Sequence, residues 1–228
     1  MIKAVVFDLD HTLFDRYATI KEVAKNLSKH FNINPLFDEE KIVETMIYHD
    51  KNFVHKGWNK IQEEIIKTGI FSDELKPDDY RKAVMSEFMN IAIPFEFTIP
   101  MLENLRKSGY KTALITNGAA ELQRSKIKML CLEDLFDFIY IGGEHEVQKP
   151  DVQPFLITAQ NLNLSPSECV YVGDNPINDV EASRKAGYTP IHVKTTGNWI
   201  CENIEQCKYS VETVEEIPQL IEKINLSF

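Results

Sequence analysis

No apolar stretch of this 228-residue chain approaches the roughly 18 residues that a membrane-spanning helix needs, so a membrane partner is not expected. The one early apolar stretch, residues 2–9, is interrupted by Asp8 and followed by Asp10, which argues against a secretory leader. Cysteine is scarce: Cys131, Cys169, Cys201 and Cys207 form no CxxC pair and no zinc-like array. Without an export signal, the expected compartment is the reducing cytoplasm, with free thiols. Positive charge is also in short supply. Lys and Arg number 25 against 35 Asp and Glu, a net charge of −10, which argues against a general nucleic-acid binder. There is no internal repeat and no low-complexity tract. What remains is an ordinary globular composition, 43% hydrophobic and 26% charged. The length suits one large domain, or one plus a smaller module, and can bury a core without staples. Oligomeric state leaves no signature in the sequence.

The pattern type changes along the chain. Residues 3–9, Lys-Ala-Val-Val-Phe-Asp-Leu, are mostly apolar on both faces, as in a buried strand of a parallel sheet. Residues 16–92 are helical in period: Tyr17, Ile20, Val23, Ala24, Leu27 and Phe31, then Ile42, Val43, Met46 and Ile47. Trp58, Ile61, Ile65 and Ile66 follow, then Tyr80, Val84, Phe88 and Met89 after the breaker Pro77, with Asp78 or Asp79 as the expected N-cap. Beyond Pro94 and Pro100 strands and helices alternate. Helices are expected at 101–107, 119–130, 153–162 and 177–186, and strands at 112–116, 138–141, 169–172 and 190–193. The expected fold is therefore α/β. Residues 1–15 and 93–228 would form a parallel sheet core that includes the first strand, and residues 16–92 a separate α-helical insertion.

Four polar clusters lie just past expected strand ends, where ligands bind in open α/β sheets. They are Asp8-Leu9-Asp10-His11-Thr12, Thr116-Asn117-Gly118, Lys149-Pro150, and Gly173-Asp174-Asn175-Pro176-Ile177-Asn178-Asp179. Taken singly, each has a plain alternative. An Asp-x-Asp pair fits a solvated strand end, Thr-Asn-Gly fits an ordinary turn, and Lys149 fits a surface lysine. Asn178 or Asp179 fits a helix cap. Together they suggest a hard-cation site of three acids, Asp8, Asp10 and Asp174, since carboxylate oxygens suit Mg²⁺. A hydroxyl, an amide and backbone N–H groups stand ready for phosphate.

In this order the clusters resemble the haloacid dehalogenase-like hydrolases. Asp8-Leu9-Asp10-His11-Thr12 is similar to that family's DxDx(T/V), Thr116 to its strand-end Thr or Ser, Lys149 to its lysine, and Gly173-Asp174 with Asp179 to its GDxxxxD. The resemblance implies a Rossmann-like core and a helical cap inserted after the first strand. Where the family often has Gly, this chain has His11. The implied activity is Mg²⁺-dependent hydrolysis of a small phosphorylated metabolite through a phosphoaspartyl intermediate on Asp8. Asp10 would be the acid–base, and Thr116, Asn117 and Lys149 the phosphate holders. Asp8, the Asp10 backbone carbonyl and Asp174 would ligate the metal, with Thr12 and Asp179 in support. An acid two residues after the nucleophile is lacking in the family's dehalogenases, so Asp10 favours phosphoryl transfer. The alternatives are a sugar phosphomutase with the same first steps, and a non-catalytic binding module. In the cap, Arg16, His49, Lys51, Lys56 and Trp58 are candidate substrate readers.

Overall fold

In a computed structural model, the described residues are 1–53, 58–196, 201 and 203–226. The chain runs β1 (Ala4–Phe7), α1 (Arg16–Asn26), α2 (Glu39–Phe53), α3 (Trp58–Lys67), α4 (Pro77–Phe88), α5 (Thr98–Lys107) and β2 (Lys111–Thr116). It continues through α6 (Ala120–Met129), β3 (Phe138–Ile141), α7 (Gln153–Asn161), β4 (Cys169–Gly173) and a π-helical turn Pro176–Glu181. Then come α8 (Ala182–Lys185), β5 (Thr189–Val193), β6 (Tyr209–Val211) and α9 (Ile217–Asn225). These elements form two compact units, Met1–Asp15 with Pro94–Phe228, and Arg16–Ile93. No helix among the described residues is long and apolar enough to cross a membrane.

The first unit is an α/β layer structure. Its sheet has six strands in the order β3-β2-β1-β4-β5-β6, and every pairing is parallel. β1 lies between β2 and β4, with Val5 opposite Thr112 on one side and Val170 on the other. All four of its residues are buried, which accounts for a strand apolar on both faces. On one face Ala4, Val6, Ala113, Ile115, Cys169 and Tyr171 pack with Phe155, Ala159 and Leu162 of α7 and with Ala182 of α8. Alternation sends Val5, Phe7 and Leu114 to the opposite side, the side on which α5 packs against α9. The chain leaves β1 for β2 and β3, then crosses back to β4. The strand order thus reverses beside β1, and a crevice opens there past the carboxyl ends of the strands.

The second unit is a helical cluster in which α1 packs on α2, α2 on α3, α3 on α4, and α4 on α1. Most of the expected apolar stripe positions form its interior: Ile20, Val23, Ala24, Leu27, Ile42, Met46, Ile61, Ile65, Tyr80, Val84 and Phe88 are buried, while Tyr17, Phe31, Val43, Ile47, Trp58, Ile66 and Met89 are half-buried. It also buries an ion pair. The Arg16 guanidinium donates to both carboxylate oxygens of Asp50, at 2.7 to 3.2 Å, and lies 4.7 Å from the Trp58 ring centroid.

Several local expectations are corrected. Pro77 does not break α4 but opens it, with Lys76 rather than Asp78 or Asp79 at the N-cap; proline's missing N–H costs nothing in a first turn. For the same reason α5 starts at Thr98 and carries Pro100 within it. The helix expected at 177–186 is a π-helical turn followed by the short α8. The terminal pair β6 and α9 went without a sequence expectation.

Candidate functional site

Asp8 directly follows β1, and its backbone N–H donates to Val172 of β4 at 2.9 Å. The neighbouring strand ends carry Thr116, the last residue of β2, and Asp174, just beyond β4. The Lys149 ammonium is the hub of this cluster. It donates to Asp8 Oδ1 at 2.6 Å, to Asp179 Oδ1 at 2.7 Å and to the Tyr171 hydroxyl at 2.8 Å, and its side chain is only 2% exposed. Tyr171 in turn donates to the Ile115 carbonyl at 3.0 Å. Asn117 clamps the lysine's backbone from both sides: its Oδ1 accepts from the Lys149 N–H at 3.0 Å, and its Nδ2 donates to the Lys149 carbonyl at 2.7 Å. The side chain of Asn117 is thereby committed to Lys149 rather than turned to a ligand.

Asp179 does not cap a helix. Asn175 does, its Oδ1 accepting from the N–H groups of Ile177 and Asn178. Asp179 instead folds back inside the π-helical turn. Its Oδ2 accepts from the Asn175 N–H at 2.9 Å while Oδ1 faces Lys149. Gly173 is required for this approach, because a Cβ there would lie 2.5 Å from the Asp179 carboxyl carbon. His192 of β5 anchors the same loop, with Nε2 3.1 Å from the Asp174 carbonyl. A carbonyl only accepts, so Nε2 carries the proton; burial lowers the pKa of this ring and keeps it neutral.

Asp8, Asp174 and Asp179 bring carboxylate oxygens within 4.8 Å of one another. Beside them, among the described residues, Lys149 is the one ammonium in direct contact with both Asp8 and Asp179. Burial, with Asp179 adding to it against the pull of Lys149, pushes the pKa of Asp8 up to about 7. Burial also acts against the charge on Lys149, but Asp179 and Asp8 outweigh it and hold the ammonium above the usual lysine range. An all-oxygen donor set with surplus negative charge fits a small hard divalent cation.

The Asp10 carboxylate takes donors from α6. Its Oδ1 accepts from Lys126 Nζ at 2.7 Å and its Oδ2 from Gln123 Nε2 at 3.0 Å. The same Gln123 nitrogen lies 2.5 Å from the Thr116 hydroxyl oxygen. His11 has φ of 63°, the left-handed conformation that glycine adopts without steric cost; its carbonyl accepts from the Thr195 hydroxyl. Thr12 was expected to brace this loop. Its hydroxyl is buried without a hydrogen-bond partner among the described residues. The bracing comes from backbone N–H groups of residues 12, 13 and 14, all directed at the Leu9 carbonyl.

Gln123, Lys126, Tyr171 and His192 were missed at the level of sequence. One signal existed: Leu122, Ile127 and Leu130 mark the buried face of α6, and Gln123 and Lys126 interrupt that face with polar groups. Of the candidate cap readers, Arg16 is engaged with Asp50 and lies 4.7 Å from the Trp58 ring centroid. Lys51 lies 4.9 Å from the Tyr17 ring centroid, and His49 stacks on Phe53. Lys56 lies outside the described residues.

The family profile of haloacid dehalogenase-like hydrolases matches residues 5–193. The chain belongs to this family. It is 28% identical over 201 residues to a glyceraldehyde 3-phosphate phosphatase of Methanopyrus kandleri, covering 85% of this chain and 84% of the relative. It is 27% identical over 244 residues to the N-acylneuraminate-9-phosphatase of Homo sapiens, covering 98% and 95%. Among solved structures, the L-2-haloacid dehalogenase of Xanthobacter autotrophicus superposes with a TM-score of 0.69 at 20% identity, over 97% of this chain and 99% of that one. That likeness extends to the fold alone. A dehalogenase and phosphatases both lie among the similar proteins, so the side chains at the strand ends must decide the chemistry.

Proposed function

We propose that this hydrolase is a magnesium-dependent phosphatase acting on a small phosphorylated metabolite, with Asp8 as nucleophile. The observation that carries the reading is the buried strand-end cluster of Asp8, Asp174 and Asp179 around Lys149, with a second acid, Asp10, held apart from it on its own donors. The relatives named as phosphatases of glyceraldehyde 3-phosphate and of N-acylneuraminate support the same class.

Asp8, Asp174 and the Asp10 carbonyl would hold Mg²⁺, which when bound supplies positive charge beside the transferring phosphoryl group. The Asp8 carboxylate attacks phosphorus, the P–O bond to the leaving alcohol breaks, and an acyl phosphate forms on Asp8. Lys149 screens the repulsion between the two anions and neutralises the equatorial oxygens. Thr116 contributes its hydroxyl. Asn117 contributes through its backbone N–H, since its side chain is engaged in fixing Lys149. Asp10 gives a proton to the leaving oxygen, then takes one from the water that cleaves the acyl phosphate. Asp179 and Tyr171 aim the Lys149 ammonium. The Arg16–Ile93 unit is the cap in this reading.

The test is phosphate release from a panel of phosphomonoesters, including p-nitrophenyl phosphate and glyceraldehyde 3-phosphate, with Mg²⁺ and with EDTA. Release that needs Mg²⁺ and is absent in Asp8→Asn is the expected result. Normal turnover by Asp8→Asn would sink the assignment.

A further inference from the structure

We infer that Gln123 and Lys126 of α6 are positioning residues that set the orientation of the Asp10 carboxylate for proton transfer to the leaving oxygen. The inference rests on the role given to Asp10 under Proposed function and extends it to two side chains outside the four motifs.

The two donors take different oxygens of Asp10. Lys126 Nζ meets Oδ1 at 2.7 Å and Gln123 Nε2 meets Oδ2 at 3.0 Å. Two donors on two oxygens fix rotation about the carboxylate's own axis, which a single bond would leave free. Helical geometry makes the pair possible: residues three apart on α6 share a face, and that face is buried at both positions.

Neither side chain is there for the core alone. Lys126 is only 2% exposed on its side chain, and a buried ammonium is costly unless paired. Its partner is Asp10, with the Phe14 ring centroid 5.0 Å away. Gln123 is equally buried, and its amide nitrogen has two hydrogens to give, one directed at Asp10 and the other at the Thr116 hydroxyl. The amide thus links the acid–base to the strand-end hydroxyl read here as a phosphate donor, and fixes the distance between them. Gly118, with φ of 116°, supplies the backbone turn into α6 that L side chains rarely adopt.

The chemistry supplies a readout that a merely structural role would not move. An alkoxide leaving group needs the Asp10 proton as the P–O bond breaks, whereas p-nitrophenolate departs without it. Values of kcat are therefore compared for an alkyl phosphate that the wild type hydrolyses and for p-nitrophenyl phosphate. Asp10→Asn should lower the alkyl-to-aryl ratio by roughly 100-fold or more, the usual share of a positioned general acid. Lys126→Met and Gln123→Met should each lower it by about tenfold. Lys126→Met should add nothing further in an Asp10→Asn background, as coupled neighbours behave. Lys126→Arg, which keeps charge and donors, should recover much of the ratio.

Equal losses on both esters, or an unchanged ratio, in folded Lys126→Met overturn the inference while leaving the phosphatase reading intact. A crystal structure of that variant with the Asp10 carboxylate unmoved does the same without reference to activity. Where removal of the buried cation unfolds the chain, Gln123→Met, which keeps the charge, decides by the same ratio. A ratio unaffected by Asp10→Asn itself removes both the role of Asp10 and the positioning of it.

Discussion

Each of the two units buries a cation against a carboxylate, and the two sites are built on opposite principles. In the helical unit the Arg16 guanidinium meets Asp50, and both side chains are 3% exposed. The fork of the guanidinium matches the carboxylate, one cation facing one carboxylate in this contact, and aromatic rings of Trp58 and Phe88 lie 4.7 and 5.7 Å away. In the α/β unit Lys149 meets Asp8 and Asp179, with Asp174 in the same cluster. There one ammonium faces two carboxylates, and burial, with Asp179 adding to it, pushes the Asp8 pKa up to about 7. A balanced buried pair is a structural element with little reason to exchange partners. An unbalanced one is a site with capacity left over for a cation, a proton or a phosphoryl group.

The largest expected consequence of this contrast is in turnover. Asp8→Asn should lower kcat by more than about 10⁴-fold, as loss of a nucleophile does, while the melting temperature holds or rises because a surplus buried charge has gone. Phosphate-release assays and thermal melts on one preparation check both. Asp50→Ala should do the converse. Stranding a buried guanidinium costs about 3–5 kcal/mol, read from denaturant midpoints. An Asp50→Ala variant as stable as wild type would erase the distinction between the sites.

The pH dependence sharpens it further. The folded pKa of Asp8, about 7, lies above the ordinary Asp value. Its protonated form therefore stabilises the fold at low pH, and that contribution is lost as pH rises from about 4 through 7. In EDTA, the wild type should lose several degrees of Tm relative to Asp8→Asn between pH 5 and pH 8. Mg²⁺ should restore those degrees at pH 8 and do little at pH 5, because it binds the ionised form. No gain with Mg²⁺ at pH 8 would contradict a cation at this cluster.

The smallest effect belongs to charge pairs at the surface of the helical unit. Lys60 and Lys67 both donate to Glu64 and hold its pKa down to about 2. The side chain is 23% exposed, at the surface of the helical unit, so Glu64→Gln should shift Tm by about a degree or less.

Much of this was determined by the sequence itself. The apolar runs and their periods specify a parallel sheet interrupted by a helical stretch, because burial on two faces or one stripe must be written in the residues. The Asp8, Thr116 and Asp174 clusters sit at strand ends whose limits are legible from where those runs stop, whereas Lys149 does not, since a 3-10 turn, Gly142–Glu144, separates it from the end of β3 at Ile141. The local devices that competing residues could fill were not legible. Asp78, Asp79, Asn178 and Asp179 all have the chemistry of a cap, yet Lys76 and Asn175 occupy the cap positions. A three-residue strand such as β6 is too short to show a period. Above all, the sequence carries no sign that Asn117 would spend its amide on the backbone of Lys149, or that Gln123 and Lys126 would reach Asp10, more than a hundred residues away along the chain. Those assignments were decided only by tertiary structure. A buried polar group must be satisfied by whatever the fold brings within 3 Å of it, and the distance that matters is measured through space rather than along the chain.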